Sequence, residues 1–438
     1  MRERLKKGKK LKTILGEEVV IDGWLAEGGQ GDVYRVAYGG ETKVLKWYKP
    51  QKMGKDPENF YKNLKNNMQK GAPSKEFLWP LDVTQWEDGV FGYVMDLKPK
   101  GFYEVSDFML TNVRFKNYRV AVDAALHIVT AYRILHNNGY SYQDLNDGNF
   151  FINPETGEVL ICDNDNVAPD NYKTGIIGKP RYMAPEIVMK KNMPNTLSDI
   201  FSMSVILYIL FCMNHPLEGK RSLVNVLPPE LQERLYGEEA LFIMDKEDKS
   251  NAPDPKIHKN SITMWKYLPG YMKEIFYRAF SQAALKNPNL RPVEAEWVDA
   301  LVRFRNDIVL CQCKNNIFIE ENGKCLCDGC GKSIKIPYWL KLAKYNIPGI
   351  VGSKIYRCQL GPCNADKALD ELGGIGIAKA DPDNLRLINL TEKSWNVTNT
   401  SGVVKHVKPK ETIVLRSGIN IMIDTGIKVE TIEIVKKK

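Results

Sequence analysis

Short apolar runs between polar turns fill the first hundred residues, and helical spacing takes over after them. Val19-Val-Ile-Asp-Gly-Trp-Leu25, Asp32-Val-Tyr-Arg-Val-Ala37, Thr42-Lys-Val-Leu-Lys-Trp-Tyr48 and Phe91-Gly-Tyr-Val-Met-Asp-Leu97 read as strands. Asp56-Pro-Glu-Asn-Phe60 reads as a helix start, with Pro57 in the first turn and a stop at Gly71-Ala-Pro73. From Tyr118 to His136 the apolar residues Val122, Leu126, Val129 and Ile134 recur at helical spacing. Leu197 to Met213 and Trp265 to Leu285 read the same way. From about Leu385 short strands return: Leu385–Asn389, Ser394–Thr398, Thr412–Leu415, Ile419–Ile423 and Val429–Val435. Thr400-Ser-Gly402 and Arg416-Ser-Gly418 punctuate them.

The expected class is therefore α+β. A basic extension covers residues 1–18. A first domain covers 19–305, with a small β-rich lobe to about 97 and a larger helical lobe over 98–305. A cysteine-bearing module over 306–366 and a small β-rich domain over 367–438 follow. The length of 438 residues allows two to four domains.

Charge and cysteine content refine this picture. The net charge of +9 owes much to Met1–Lys12 and to Lys436-Lys-Lys438, which read as solvated tails, an anionic partner being the alternative. No apolar stretch follows the basic start, so no secretory signal is expected. The longest apolar run, Val205–Met213, is too short for a membrane span and reads as a buried helix. Seven of the nine cysteines fall between Cys311 and Cys363, which favours metal over disulfides in a cytoplasmic chain.

Tyr142-Gln-Asp-Leu-Asn-Asp-Gly-Asn149 carries the sharpest chemistry. Asp144 and Asn149 stand five residues apart, and Asp163-Asn-Asp165 follows the apolar run Val159–Cys162. An Asp, an Asn and a second Asp in this order suit phosphoryl transfer: one orients a hydroxyl, and the others hold Mg²⁺ on a nucleotide. Leu25-Ala-Glu-Gly-Gly-Gln-Gly-Asp-Val-Tyr34 forms a hairpin whose Gly28, Gly29 and Gly31 let the backbone approach phosphates, flanked by Leu25 and Val33. Lys46, in the next strand, either pairs with those phosphates or is an edge-strand surface lysine.

Taken together, residues 19–305 resemble a eukaryotic-type protein kinase, and the order of motifs is more specific than any one of them. The resemblance implies the two-lobed kinase fold, with ATP and Mg²⁺ (or Mn²⁺) as cofactors and a protein substrate accepting on serine or threonine. It makes Lys46 the phosphate-pairing lysine, Asp144 the catalytic aspartate and Asn149 a metal-binding asparagine. Asp163 takes the place of the aspartate in Asp-Phe-Gly and becomes the principal Mg²⁺ ligand. Ala184-Pro-Glu186 ends the activation segment, with Arg291 pairing Glu186, and Asp199 braces the catalytic loop. Met95, Asp96 and Leu97 form the hinge that reads adenine, with Met95 as gatekeeper.

The departures are specific. Ala26 replaces the first loop glycine, and Gln30 the aromatic that caps the phosphates. Tyr142-Gln143 replaces His-Arg, removing the cation on which a phosphorylated loop docks, so activity independent of loop phosphorylation is expected. Asn146 stands where a lysine normally meets the γ-phosphate, and Lys179 where a threonine does. Either Lys179 restores the missing charge or it is a solvated surface lysine. The helix after the third strand should offer Lys46 a glutamate. Glu58 falls too early, and Asn63, Asn66 and Asn67 occupy the middle, so the partner of Lys46 stays open.

Cys311-Gln-Cys313 and Cys327-Asp-Gly-Cys330 form two close pairs that resemble a zinc ribbon, with Cys325 competing for a place. Cys358 and Cys363 are either buried thiols or a further pair. His127, His136, His215 and His258 read as core or surface residues. The whole tandem resembles bacterial kinases of the tellurite-resistance-associated group. That resemblance implies a kinase accompanied by a protein phosphatase and a von Willebrand-type protein; with no secretory signal and no span-length apolar run, a cytoplasmic kinase with no membrane partner is expected. Two rival readings are a pseudokinase that binds nucleotide and acts as a scaffold, and a kinase brought to nucleic acid by its zinc module. The tail lacks a dense basic stripe, which disfavours the latter.

Overall fold

The computed structural model describes residues 4–49, 53, 56–87, 89–172, 178–224, 226–320, 323–379 and 381–436. They fall into two compact units. One comprises 1–114, 131–262 and 277–291, and the other 115–130, 263–276 and 292–438.

The first unit opens with β1 (Lys10–Lys12), β2 (Glu18–Glu27), β3 (Gly31–Tyr38) and β4 (Glu41–Tyr48), followed by α1 (Pro57–Lys70), β5 (Asp82–Val83) and β6 (Gly92–Asp96). The strands form one antiparallel sheet in the order β1-β2-β3-β4-β6-β5. Alternation buries Tyr34, Val36, Leu45 and Val94 in one cluster, while Val44, Phe91, Tyr93 and Met95 pack with Phe60 and Leu64 of α1 in another. The basic N-terminal stretch is not a solvated tail throughout. Leu11 is buried between two outward lysines, and β1 pairs with β2, because the Lys-Leu-Lys pattern puts its one apolar residue on the inner face.

The chain continues through β7 (Tyr103–Glu104), α2 (Val105–Met109), α3 (Tyr118–Asn137), β8 (Tyr140–Ser141), β9 (Phe150–Ile152), β10 (Val159–Ile161) and β11 (Ala168–Pro169). Then come α4 (Pro185–Val188) and α5 (Thr196–Cys212). Every residue of α5 from Ser198 to Cys212 is buried, and Asn195 and Ser198 close its start as a capping box. Among the described residues no helix is long and apolar enough to cross a membrane.

The helix expected over 265–285 is three helices instead, Lys259–Tyr267, Gly270–Phe280 and Gln282–Lys286. Pro269 cannot continue the first, and the Ser281 side chain accepts from the Ala284 N–H to start the third.

The second unit ends in an all-β region. It holds β12 (Ile308–Leu310), β13 (Asn316–Phe318), β14 (Trp339–Lys341), β15 (Asn346–Pro348), β16 (Lys354–Tyr356), β17 (Glu371–Ala378) and β18 (Asp381–Asn389). It continues with β19 (Trp395–Thr398), β20 (Val404–Val407), β21 (Thr412–Val414), β22 (Asn420–Asp424) and β23 (Val429–Val435). One sheet runs β15-β14-β23-β22-β19-β20 and a second β16-β17-β18-β21. A single apolar cluster draws Leu340, Trp395, Ile421 and Ile434 from the first and Ile355, Leu372, Leu387 and Ile413 from the second, as in a sandwich. The boundary expected at 366/367 falls between β16 and β17, which pair with each other.

Candidate active site

The expected catalytic residues converge in the first unit because of one hairpin. β9 and β10 pair antiparallel, Phe150 opposite Ile161. Asn149 enters the hairpin and Cys162 leaves it, and the Cys162 N–H donates to the Asn149 carbonyl at 2.9 Å. Asn149 and Asp163 are thereby neighbours although fourteen residues separate them. Asn149 is buried, and its amide donates to the Asp144 carbonyl at 2.8 Å and to the Tyr142 hydroxyl at 3.0 Å. Tyr142, in the place of the usual histidine, is fully buried and donates to the Cys162 carbonyl.

Asp199 fixes the loop from below. Its carboxylate accepts from the N–H of Tyr142 and, at 3.2 Å, from that of Gln143, with His136 Nε2 also 3.2 Å away. Gln143 (φ 70°) and Asp163 (φ 56°) both adopt left-handed backbone, which costs a non-glycine residue about 1 kcal/mol and concentrates at functional sites. Glu186 and Arg291 form the expected pair, a buried fork with N–O distances of 2.7 and 2.8 Å.

Asp144 is half-buried. Burial, with Asp163 and Asp165 nearby, pushes its carboxyl up to about 7, against the pull of Lys179 and Lys46. A carboxylate so poised suits a group that accepts or orients a proton near neutral pH. Asn146 turns its Oδ1 toward both the Gly148 N–H, at 3.1 Å, and the Lys179 ammonium, at 3.0 Å. Lys179, otherwise exposed, thus places its charge beside the residue that lacks one.

Lys46 is no surface lysine, being only 4% exposed. Its ammonium meets Gln30 Oε1 at 3.0 Å, Asp163 Oδ1 at 3.3 Å and Asp165 Oδ2 at 2.9 Å. Burial disfavours its charge, but the two carboxylates outweigh that and hold its pKa above the usual lysine value. The asparagines of α1 do not reach it. Asn63 and Asn67 both donate to the Val167 carbonyl, at 2.8 and 2.7 Å. Glu58 is exposed. Asp165 is the contact that the sequence reading left unassigned; the signal for it was an acid where the motif has glycine. Asn164, in the place of the motif's phenylalanine, is buried and donates to the carbonyls of Leu78 and Ile161.

In the glycine loop, the Gly28 N–H donates to the Gly31 carbonyl at 2.8 Å and closes the turn. Gly31 has a packing reason of its own: a Cβ there would lie 2.3 Å from the Trp47 carbonyl oxygen. Gly29 faces open space, with Leu25 exposed and Val33 half-buried. Met95 is buried in the small-lobe core, while Asp96 and Leu97 are exposed. His215 is a core residue. Its Nε2 donates to the Arg181 carbonyl, Nδ1 accepts from the Leu217 N–H, and burial pushes its pKa down to about 4.

In the second unit, Cys311, Cys313, Cys327 and Cys330 bring their sulfurs within 4.8 Å of one another. Each pair sits on a tight turn. The Lys314 N–H donates to the Cys311 carbonyl, and the Gly331 N–H to that of Cys327; Lys314 and Gly331 are both left-handed. Cys311 and Cys330 stand 3.6 Å apart and Cys313 and Cys327 3.4 Å, near the ~3.8 Å edge of a tetrahedron with 2.3 Å Zn–S bonds. Backbone N–H groups of the second turn pull the Cys327 thiol below its usual value, whereas Cys313, pulled down by the backbone at Asn315, is on balance pushed up by the sulfurs of Cys311 and Cys327. Cys325 belongs elsewhere: it is buried among Val309, Ile317 and Trp339, and burial pushes its thiol up to about 11. Cys358 and Cys363 are half-buried and outside the four.

A family model described as protein kinase domain matches residues 24–260, over half of the chain. The chain is similar to maternal embryonic leucine zipper kinase of Xenopus laevis, at 28% identity over 135 residues, 30% of this chain and 20% of that one. It is also similar to a probable serine/threonine-protein kinase MARK-C of Dictyostelium discoideum, at 25% identity over 185 residues, 41% of this chain and 23% of that one. Against solved structures it is similar to the Mycobacterium tuberculosis PknI kinase domain, with a TM-score of 0.43, 18% identity and coverage of 68% of this chain and 98% of that one. The chain spans about a fifth of the length of the curated relatives it matches.

Proposed function

The chain belongs to the protein kinase family, and from that premise we propose that it transfers the γ-phosphate of ATP to a serine or threonine hydroxyl of a protein. The observation that carries this reading is the convergence of Lys46, Asp144, Asn149 and Asp163 on one hairpin, with Asp144 poised near 7. Asp144 would orient the acceptor hydroxyl and take its proton. Asp163, whose side chain is 43% exposed, and Asn149 would hold Mg²⁺ or Mn²⁺. The metal, when bound, neutralises charge on the phosphate oxygens. Lys46 and the loop at Gly28, Gly29 and Gly31 would position the phosphates, and Met95, Asp96 and Leu97 the adenine. Lys179 would supply the cation missing at Asn146. Positioning and charge account for most of the rate in such a site.

Incubation with radiolabelled ATP and Mg²⁺ tests this. Wild type is expected to label a protein acceptor, and Asp144→Asn to lose labelling by at least about 100-fold while retaining nucleotide affinity. One observation favours a second reading, a nucleotide-binding scaffold. The three donors of the Lys46 ammonium already meet Gln30, Asp163 and Asp165, so a phosphate must displace one of them. No labelling by wild type would decide for the scaffold.

The four-cysteine cluster supports a structural zinc ribbon held by Cys311, Cys313, Cys327 and Cys330. The tandem of kinase domain, cysteine pairs and strands supports a place in the bacterial tellurite-associated group. There it would act in the cytoplasm beside a protein phosphatase and a von Willebrand-type partner, with the tail docking protein.

A further inference from the structure

Lys46 is buried and charged, and such a group is stable only where a carboxylate is held against it. Among the described residues two carboxylates reach it, and they differ in kind. The Asp163 side chain is 43% exposed, at 3.3 Å, and so stays open to a metal. The Asp165 side chain is 0% exposed, at 2.9 Å, and so is closed to solvent. The same Asp165 oxygen accepts from the Tyr48 hydroxyl at 2.5 Å. Tyr48 follows Lys46 by two residues in β4, so alternation puts both side chains on one face, and both converge on Asp165. Helix α1 contributes no acid to this cluster. Its buried residues are Phe60, Asn63, Leu64 and Asn67, and its asparagines bind the Val167 carbonyl, two residues beyond Asp165. The helix therefore clamps the segment that carries Asp165 and leaves the lysine to that segment.

We propose that Asp165 is the positioning residue for Lys46, doing from the segment after β10 what a helix glutamate does in a protein kinase. The proposal rests on Lys46 being the phosphate-pairing lysine. It makes the placement of that lysine a property of the 163–167 segment and independent of any acid on α1. Asp165 touches no reacting atom and positions Lys46 directly and with Tyr48, while its charge also helps to raise the Asp144 pKa.

A double-mutant cycle tests this, read on affinity for a fluorescent ATP analogue and on kcat/KM, with thermal melting as the check on folding. Asp165→Asn is expected to lower kcat/KM by about 100-fold, the loss that ~1 Å of misplacement produces, and to weaken analogue binding. In a Lys46→Met background the same change is expected to cost analogue affinity nothing further, because its route to the nucleotide is gone. Glu58→Gln, which removes the one acid of α1, is expected to leave both readouts unchanged. Equal losses of analogue affinity from Asp165→Asn with and without Lys46 would overturn the proposal, as would a Glu58→Gln chain that reproduces the loss. Should the asparagine chain not fold, Asp165→Glu takes its place in the cycle, with the same two outcomes. A wild type without turnover would sink the phosphotransfer reading alone, because the cycle is still read on nucleotide affinity.

Discussion

On the proposed reading, Asn146 and Lys179 exchange a single charge between two positions of a motif. A lysine at 146 would carry its own charge to the transferred phosphate. Here Asn146 closes the local turn by accepting from Gly148, and its remaining lone pair takes the Lys179 ammonium at 3.0 Å. The cation is therefore present but arrives from the far end of the activation segment. A Lys179→Ala chain is expected to lose about 100- to 1,000-fold in kcat, as removal of one preorganised donor does. The double change Asn146→Lys with Lys179→Thr is expected to recover most of it. Steady-state kinetics at saturating ATP check both, and an alanine chain with unchanged kcat would return Lys179 to the solvated surface.

Elements, more than single residues, decide whether those groups meet. β4 carries Lys46 and Tyr48, and its outer neighbour β6 approaches it closely at Gly92, where a Cβ would lie 2.4 Å from the Lys46 carbonyl oxygen. Gly92→Ala must therefore push the strands apart. It is expected to destabilise the chain by about 1–3 kcal/mol, seen as a lower melting temperature, and to weaken nucleotide binding. Gly29→Ala, which meets open space, is expected to leave the melting temperature unchanged. The elements that position the site were legible because each carries its own local signal. Short apolar runs between turns mark β2, β3 and β4, Asp56-Pro57 opens α1, and apolar residues at helical spacing mark α3. What escaped depends on tertiary context. The Glu371–Ala378 strand is masked by three glycines, one of which, Gly373, lies against Trp395. Trp339–Lys341 is too short to announce itself and is a strand only because β23 and β15 flank it. The partner of Lys46 was sought on α1 because a motif puts it there. Only the folded hairpin reveals that Asp165 lies nearer.

At the scale of the whole molecule, the chain joins parts that are stabilised in different ways. Residues such as Phe201, Ile206 and Phe280 bury a large apolar core in the first unit, and the sandwich of the second has its own. The segment bearing Cys311 to Cys330 has less to hold it. It consists of two short hairpins, Ile308–Leu310 with Asn316–Phe318 and the Leu326–Ser333 bridge, over a small cluster that includes Val309, Ile317 and Cys325. Four sulfurs spaced for a tetrahedron would join the two turns by metal–thiolate bonds. Structural zinc contributes about 10–16 kcal/mol in comparable small sites, more than so small a cluster supplies. Metal analysis of the purified chain is expected to find about one zinc per molecule. Chelation is then expected to abolish amide hydrogen-exchange protection over 308–333, while the strands of the sandwich keep theirs. A Cys313→Ser chain should behave as the chelated wild type does without any chelator. Protection over 308–333 that survives complete removal of the metal would mean that packing alone holds the turns, and that the four cysteines are reduced thiols brought together by the fold.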